Sequence, residues 1–367
     1  MFYIYYIFYK VIKKEQRQIL NNKLNESIFN ILKKRLDFQS FPLSLANKLI
    51  KNIDLEPGTA KNKALLEIIF TLFSCVNTKV PVFICGKPGC SKTLSTRLIL
   101  DNMIGKDSAN EFFKKLPKLR PFYIQGSLNS TSNGILKVFE KARNYERNKE
   151  IKDKISLIYF DEMNLAEESK NNPLKVIHSQ LEYDDNKDKV SFIGISNYIL
   201  DASKMNRGIH LSILELDKED LQLTAHEIVK SVEETLLKDN VDIFNNLSLA
   251  FCEYKSYLKE NKKDLYDFHG NRDFYYMIKI AAYKMIKNNN KIDCALESIE
   301  RNFGGLELEN KLDSIILFKE KFLQQKIFNN IYDIQNIIND SLNDKMSTYI
   351  LIITKITISQ FLIDSIF

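Results

Sequence analysis

The stretch Gly86-Lys87-Pro88-Gly89-Cys90-Ser91-Lys92-Thr93 constrains this chain more than any other, because an apolar run leads into it and a helical pattern follows. A glycine-containing turn between strand and helix lets successive backbone N–H groups face a phosphate. A lysine then reaches the outer oxygens, and a Ser/Thr hydroxyl binds magnesium. The positive end of the following helix adds to the pull on an anion. Lys92 and Thr93 fill the last two roles, and Gly86 through Leu94 is the predicted nucleotide-binding segment. One position departs from the pattern: Ser91 stands where glycine is expected. Serine reaches positive φ only at a cost, so strain is predicted there.

Around this turn the hydrophobic period changes. From Glu15 to Leu36, Ile19, Leu20, Leu24, Ile28, Ile31 and Leu32 recur at helical spacing, and a second helix is predicted from Ala60 to Val76 after the turn Glu56-Pro57-Gly58. Short apolar runs then follow at Val80–Cys85, Pro121–Gln125, Ile155–Phe160, Val190–Ser196 and Ile209–Leu214, with helical stretches between most of them, including Leu94–Leu100. Strands alternating with helices predict a parallel sheet covered on both faces. From Lys218 to Leu323 amphipathic helices take over, and a strand-like run returns at Tyr349–Ile353.

The third run ends in Asp161-Glu162, two carboxylates at the edge where parallel sheets bind ligands. Asp161 is expected to hold Mg²⁺ and Glu162 to polarise an attacking water. The alternative for an acidic pair after a strand is a helix N-cap. The fourth run ends in Gly194-Ile195-Ser196-Asn197; Asn197 is either a turn residue or an amide that orients water and contacts the γ-phosphate. Arg207 follows a short helix from Asp201, and is either a finger reaching a neighbour's nucleotide or a helix C-terminal cation. Arg272, in Gly270-Asn271-Arg272-Asp273, is either a phosphate contact from the helical side or a surface arginine.

Bulk properties set outer bounds. A chain of 367 residues has room for about two or three units of about 150 residues. Its 44% hydrophobic and 27% charged content describe a globular chain, and the net charge of +6 is dispersed among Asp and Glu, which argues against nucleic-acid binding. The five cysteines form no CxxC pair, so neither a zinc site nor a disulfide framework is expected, and reduced thiols point to the cytoplasm. The apolar start stops at Lys10, too short to span a bilayer. Apolar sequence at both termini reads as a chain cut from something longer.

Several stretches in one order carry a resemblance. They are Leu55–Ala60, the GKPGCSKT turn, Gly105–Ser108, Gln125–Ser127 with Ser130–Ile135, and Asp161–Glu167. Gly194–Asn197, Lys204–Gly208, Gly270–Asp273 and Arg301–Gly305 complete the series. Together they resemble one AAA+ lineage, the mysterin family of giant RING-type E3 ubiquitin ligases, over roughly Leu55 to Gly305. The resemblance implies a hydrolysis-competent module in which Ser91 is a family habit, Arg207 a finger and Arg272 a lid-side sensor. No RING and no second phosphate-binding turn stand in this sequence, so ubiquitin transfer is not expected of it.

The expectation is therefore an α/β P-loop NTPase of AAA+ type: a parallel five-stranded sheet between helices, followed by an all-α lid. The predicted divisions are an N-terminal helical segment at 1–59, the nucleotide-binding domain at 60–216, the lid at 217–330, and a linker with the incomplete start of a following module at 331–367. ATP and Mg²⁺ are the expected ligands, with lid closure over ATP the mechanical output. Neighbouring AAA+ modules reached by Arg207 and protein substrates are the expected partners, with no membrane span. The alternative is a module that holds nucleotide as a structural or regulatory ligand with negligible hydrolysis.

Overall fold

The computed structural model describes residues 40–148, 150, 153–182, 188–213, 215–304 and 314–324, with isolated helical positions between 19 and 30 and at 342. The helix predicted from Glu15 to Leu36 lies largely outside the described residues, and the run Tyr349–Ile353 lies wholly outside them. The described chain divides into two compact units between Glu227 and Ile228.

In the first unit, five strands form one sheet in the order β2-β3-β4-β1-β5: β1 Val82–Cys85, β2 Lys118–Gln125, β3 Lys154–Asp161, β4 Ser191–Ser196 and β5 Ile209–Ser212. Every pairing is parallel. All five predicted runs are strands, which makes the α/β expectation correct. Their ends differ from the hydrophobic pattern. β2 begins at Lys118, three residues before Pro121, because an edge strand pairs through its backbone even where its side chains face solvent. Lys118 and Arg120 are exposed while Leu119 is buried. β5 closes at Ser212.

Side chains alternate across the sheet, so each strand feeds two cores. Val82, Ile84, Ile155, Leu157, Tyr159, Ile193 and Ile195 pack on one face, against the helices Lys63–Thr78 and Lys92–Asn102. Phe83, Ile158, Phe160 and Phe192 pack on the other, against the helix Ser132–Arg147. The helix predicted from Ala60 starts instead at Lys63, where the Asn62 side chain accepts from the Leu65 N–H and satisfies an orphan donor. Thr131 does the same for Gly134 at the start of Ser132–Arg147.

The second unit is helical throughout its described elements: Glu234–Asn261, Asn271–Lys287, Lys291–Asn302 and Ser314–Leu323 follow the helix Lys218–Val232 that crosses the division. Its core is aromatic. Phe251 stacks on Phe274 with ring centroids 4.9 Å apart, and Phe303 packs on Phe318 at 4.5 Å. The buried Tyr254 hydroxyl meets His269 Nδ1 at 2.7 Å.

Candidate functional site

The carboxyl ends of β1, β3 and β4 bring three predicted segments together, because adjacent parallel strands end at the same edge. β1 delivers the chain into Gly86–Ser91, and the helix Lys92–Asn102 begins directly after it. Gly89 takes φ 81°, and Ser91 takes φ 58°, in the left-handed region. The strain expected at Ser91 is thus located. Its side chain makes no capping bond to the helix it precedes, so nothing local compensates a cost of about 1–2 kcal/mol.

Lys92 is buried at 6% exposure, and its ammonium is gathered by the turn itself. Nζ donates to Gly86 O, to Lys87 O at 2.9 Å and to Asn197 Oδ1 at 3.2 Å. A buried ammonium demands such acceptors. Asn197 is thereby more than a turn residue: its side chain faces Lys92, while its own N–H donates to Asn164 Oδ1 at 3.2 Å. Lys87 pairs with Glu215 at 2.8 Å.

On β3, both oxygens of Asp161 are engaged. Oδ1 accepts from the Glu162 N–H at 2.8 Å and Oδ2 from the Tyr159 hydroxyl at 2.9 Å. Burial and the bond to Asp161 hold the Tyr159 phenol above its ordinary pKa. Glu162 occupies the N-cap position of the short helix Met163–Glu167, at φ 48° and without a side-chain cap bond. The N-cap alternative therefore fails for its side chain, which accepts instead from Gln125 Nε2 at 2.8 Å. Gly126 permits this approach: a Cβ there would lie 1.9 Å from Glu162 O.

Arg207 is not part of this gathering. It lies past the helix Ala202–Met205, before β5, at the opposite edge of the sheet. Its guanidinium reaches Glu182 at 3.4 Å. It lines a cavity of about 390 Å³ with Arg143, Gln180 and Asp188. Arg272 is exposed in the first turn of Asn271–Lys287, in the second unit.

Gln125, Tyr159 and Asn164 were not singled out in the sequence. Gln125 and Tyr159 sit inside strand patterns, where they count as ordinary strand residues. Only strand register shows that Gln125 pairs with Asp161 and so flanks Glu162.

The donor set fits magnesium and a polyphosphate. Thr93 and Asp161 offer hard oxygen ligands, which suit a cation that takes few protein ligands and completes its shell with phosphate and water. The buried Lys92 supplies the compensating positive charge.

Comparison with known proteins adds independent findings. Residues 58–220 match the family model described as RNF213 AAA domain. The chain is 36% identical over 325 residues to E3 ubiquitin-protein ligase rnf213-beta of Danio rerio, covering 83% of this chain. It is 32% identical over 323 residues to E3 ubiquitin-protein ligase RNF213 of Homo sapiens, again covering 83% of the chain. It spans 6% of the length of each of these relatives, so their activity as ligases is not carried over to it. Among solved structures, the Aeropyrum pernix ORC2 protein is 11% identical with a TM-score of 0.43, covering 68% of this chain and 70% of that one.

Proposed function

The chain carries an AAA+ module of the mysterin family, and from that premise we propose that it binds ATP with Mg²⁺ and hydrolyses it. The observation that carries this reading is the convergence on Lys92. A buried ammonium is held by the carbonyls of the glycine turn and by Asn197 at the end of a different strand, on the sheet edge where β3 also delivers Asp161.

In this reading the backbone N–H groups of Gly86 to Lys92 orient the phosphates, and the Lys92 ammonium offsets their charge. Thr93 and Asp161 hold magnesium, which when bound neutralises the phosphate oxygens. Glu162 accepts a proton from the attacking water, while Gln125 holds one of its carboxylate oxygens and leaves the other for that water. Asn197 contacts the γ-phosphate side. Catalysis is then mainly electrostatic positioning. The resemblance assigns Arg272 to sensing from the helical unit, whose closure over ATP would be the mechanical output. Arg207, at the far edge of the sheet from its own Lys92, suits a role toward an adjacent module's nucleotide. The free thiols among the described residues accord with a cytoplasmic setting.

Glu162→Gln is expected to keep ATP binding and lower turnover about 100- to 10,000-fold. Lys92→Ala is expected to abolish binding. Undiminished turnover in the Gln variant would remove Glu162 from the mechanism. A second reading, nucleotide held with negligible hydrolysis, is favoured by the distance of Arg207 from its own site: a solitary module lacks a neighbour's arginine. Turnover that stays at background even at concentrations that favour assembly would establish it.

A further inference from the structure

Two residues before Asp161, β3 carries a tyrosine. Because side chains alternate along a strand, Tyr159 and Asp161 leave β3 on one face, the face packed by the helix that starts at Lys92. The ring is 7% exposed, inside the same core as Leu157 and Ile195. A position that needed only volume would suit phenylalanine, as at Phe160 and Phe192. A buried hydroxyl costs free energy unless it is bonded, and this one donates to Asp161 Oδ2 at 2.9 Å.

Asp161 is fixed at both oxygens: Oδ2 accepts from the Tyr159 hydroxyl at 2.9 Å and Oδ1 from the Glu162 N–H at 2.8 Å.

We infer that Tyr159 is a positioning residue for the magnesium ligand Asp161, its hydroxyl fixing the direction of that carboxylate. The inference rests on the metal role proposed above for Asp161. Ligand-orienting partners of this kind are worth about 10- to 100-fold in metal affinity.

The test is Tyr159→Phe in the full chain, with affinity for ADP and for a non-hydrolysable ATP analogue measured calorimetrically in Mg²⁺ and in EDTA. The expected result is wild-type affinity in EDTA, wild-type melting behaviour, and a loss of at least about 10-fold in the affinity gained from Mg²⁺. The Mg²⁺ concentration that half-saturates turnover should rise in parallel. A Mg²⁺ gain equal to wild type overturns the inference. A variant that binds worse in EDTA as well, or no longer melts cooperatively, makes Tyr159 a structural residue and overturns it too. Failure of the underlying reading looks different: the wild-type chain itself would then show no nucleotide binding, or no gain from Mg²⁺.

Discussion

Lys79 at one edge of the sheet and Ser91 and Glu162 at the other use left-handed backbone for opposite purposes. At the edge where the strands begin, Lys79 takes φ 54° as the C-cap of Lys63–Thr78, and its N–H bonds Cys75 O and Val76 O. That is an ordinary way to end a helix, since it satisfies orphan carbonyls. At the edge where the strands finish, Ser91 and Glu162 take φ 58° and 48° at the starts of helices, and neither side chain caps its helix. N-caps normally sit in extended conformation and donate no such strain. Helix economy thus explains Lys79 and leaves Ser91 and Glu162 unexplained; a backbone bent to present groups to a ligand explains both. Strain by itself does not mark a site.

The sharpest way to break this contrast is through the two tight glycines. A Cβ at Gly126 would stand 1.9 Å from Glu162 O, and one at Gly208 would stand 2.7 Å from Pro81 O. Gly126→Ala should destabilise by about 3 kcal/mol or more in a thermal melt and also remove nucleotide binding. Gly208→Ala, at the other edge, should destabilise comparably, yet its folded fraction should keep wild-type affinity. Equal affinity losses in the two would erase the distinction between the edges.

A smaller effect is expected where strain is relieved. Ser91→Gly and Lys79→Gly should each stabilise by about 1 kcal/mol, since glycine enters the left-handed region freely. Only Ser91→Gly should alter nucleotide affinity, read by calorimetry. If Lys79→Gly alters it as much, the special status of the finishing edge is lost.

The smallest effect concerns His210 on β5. Burial lowers its pKa below the ordinary 6.5, and its Nε2 has no hydrogen-bond partner. The folded chain keeps it neutral where the unfolded chain takes a proton. Its contribution is therefore intact above 6.5 and is lost as pH falls from there toward the depressed folded value. Between about pH 7 and about pH 5, wild-type melting temperature should fall more than that of His210→Gln. Parallel profiles would assign the acid sensitivity elsewhere.

Much of the fold was written in local pattern. Each short apolar run became a strand, because a strand covered on both faces presents an apolar residue to one core or the other at every step. The glycine turn marked the candidate site, and Asp161-Glu162 marked its proposed second half, because both carry chemistry in their residue types. What stayed hidden was pairwise. Gln125 and Tyr159 look like strand filler until register sets Gln125 beside Asp161 and alternation sets the Tyr159 hydroxyl on the same carboxylate.

Sequence alone determined which residues alternate, which turn has the phosphate-binding pattern, and which position breaks that pattern, since these follow from side-chain chemistry and chain period. The tertiary structure decided the strand order, the left-handed cost at Ser91, the hold of Asn197 on Lys92, and the separation of Arg207 from both. Those depend on which strands become neighbours. That is settled by the cooperative burial of both sheet faces, not by any single stretch of chain.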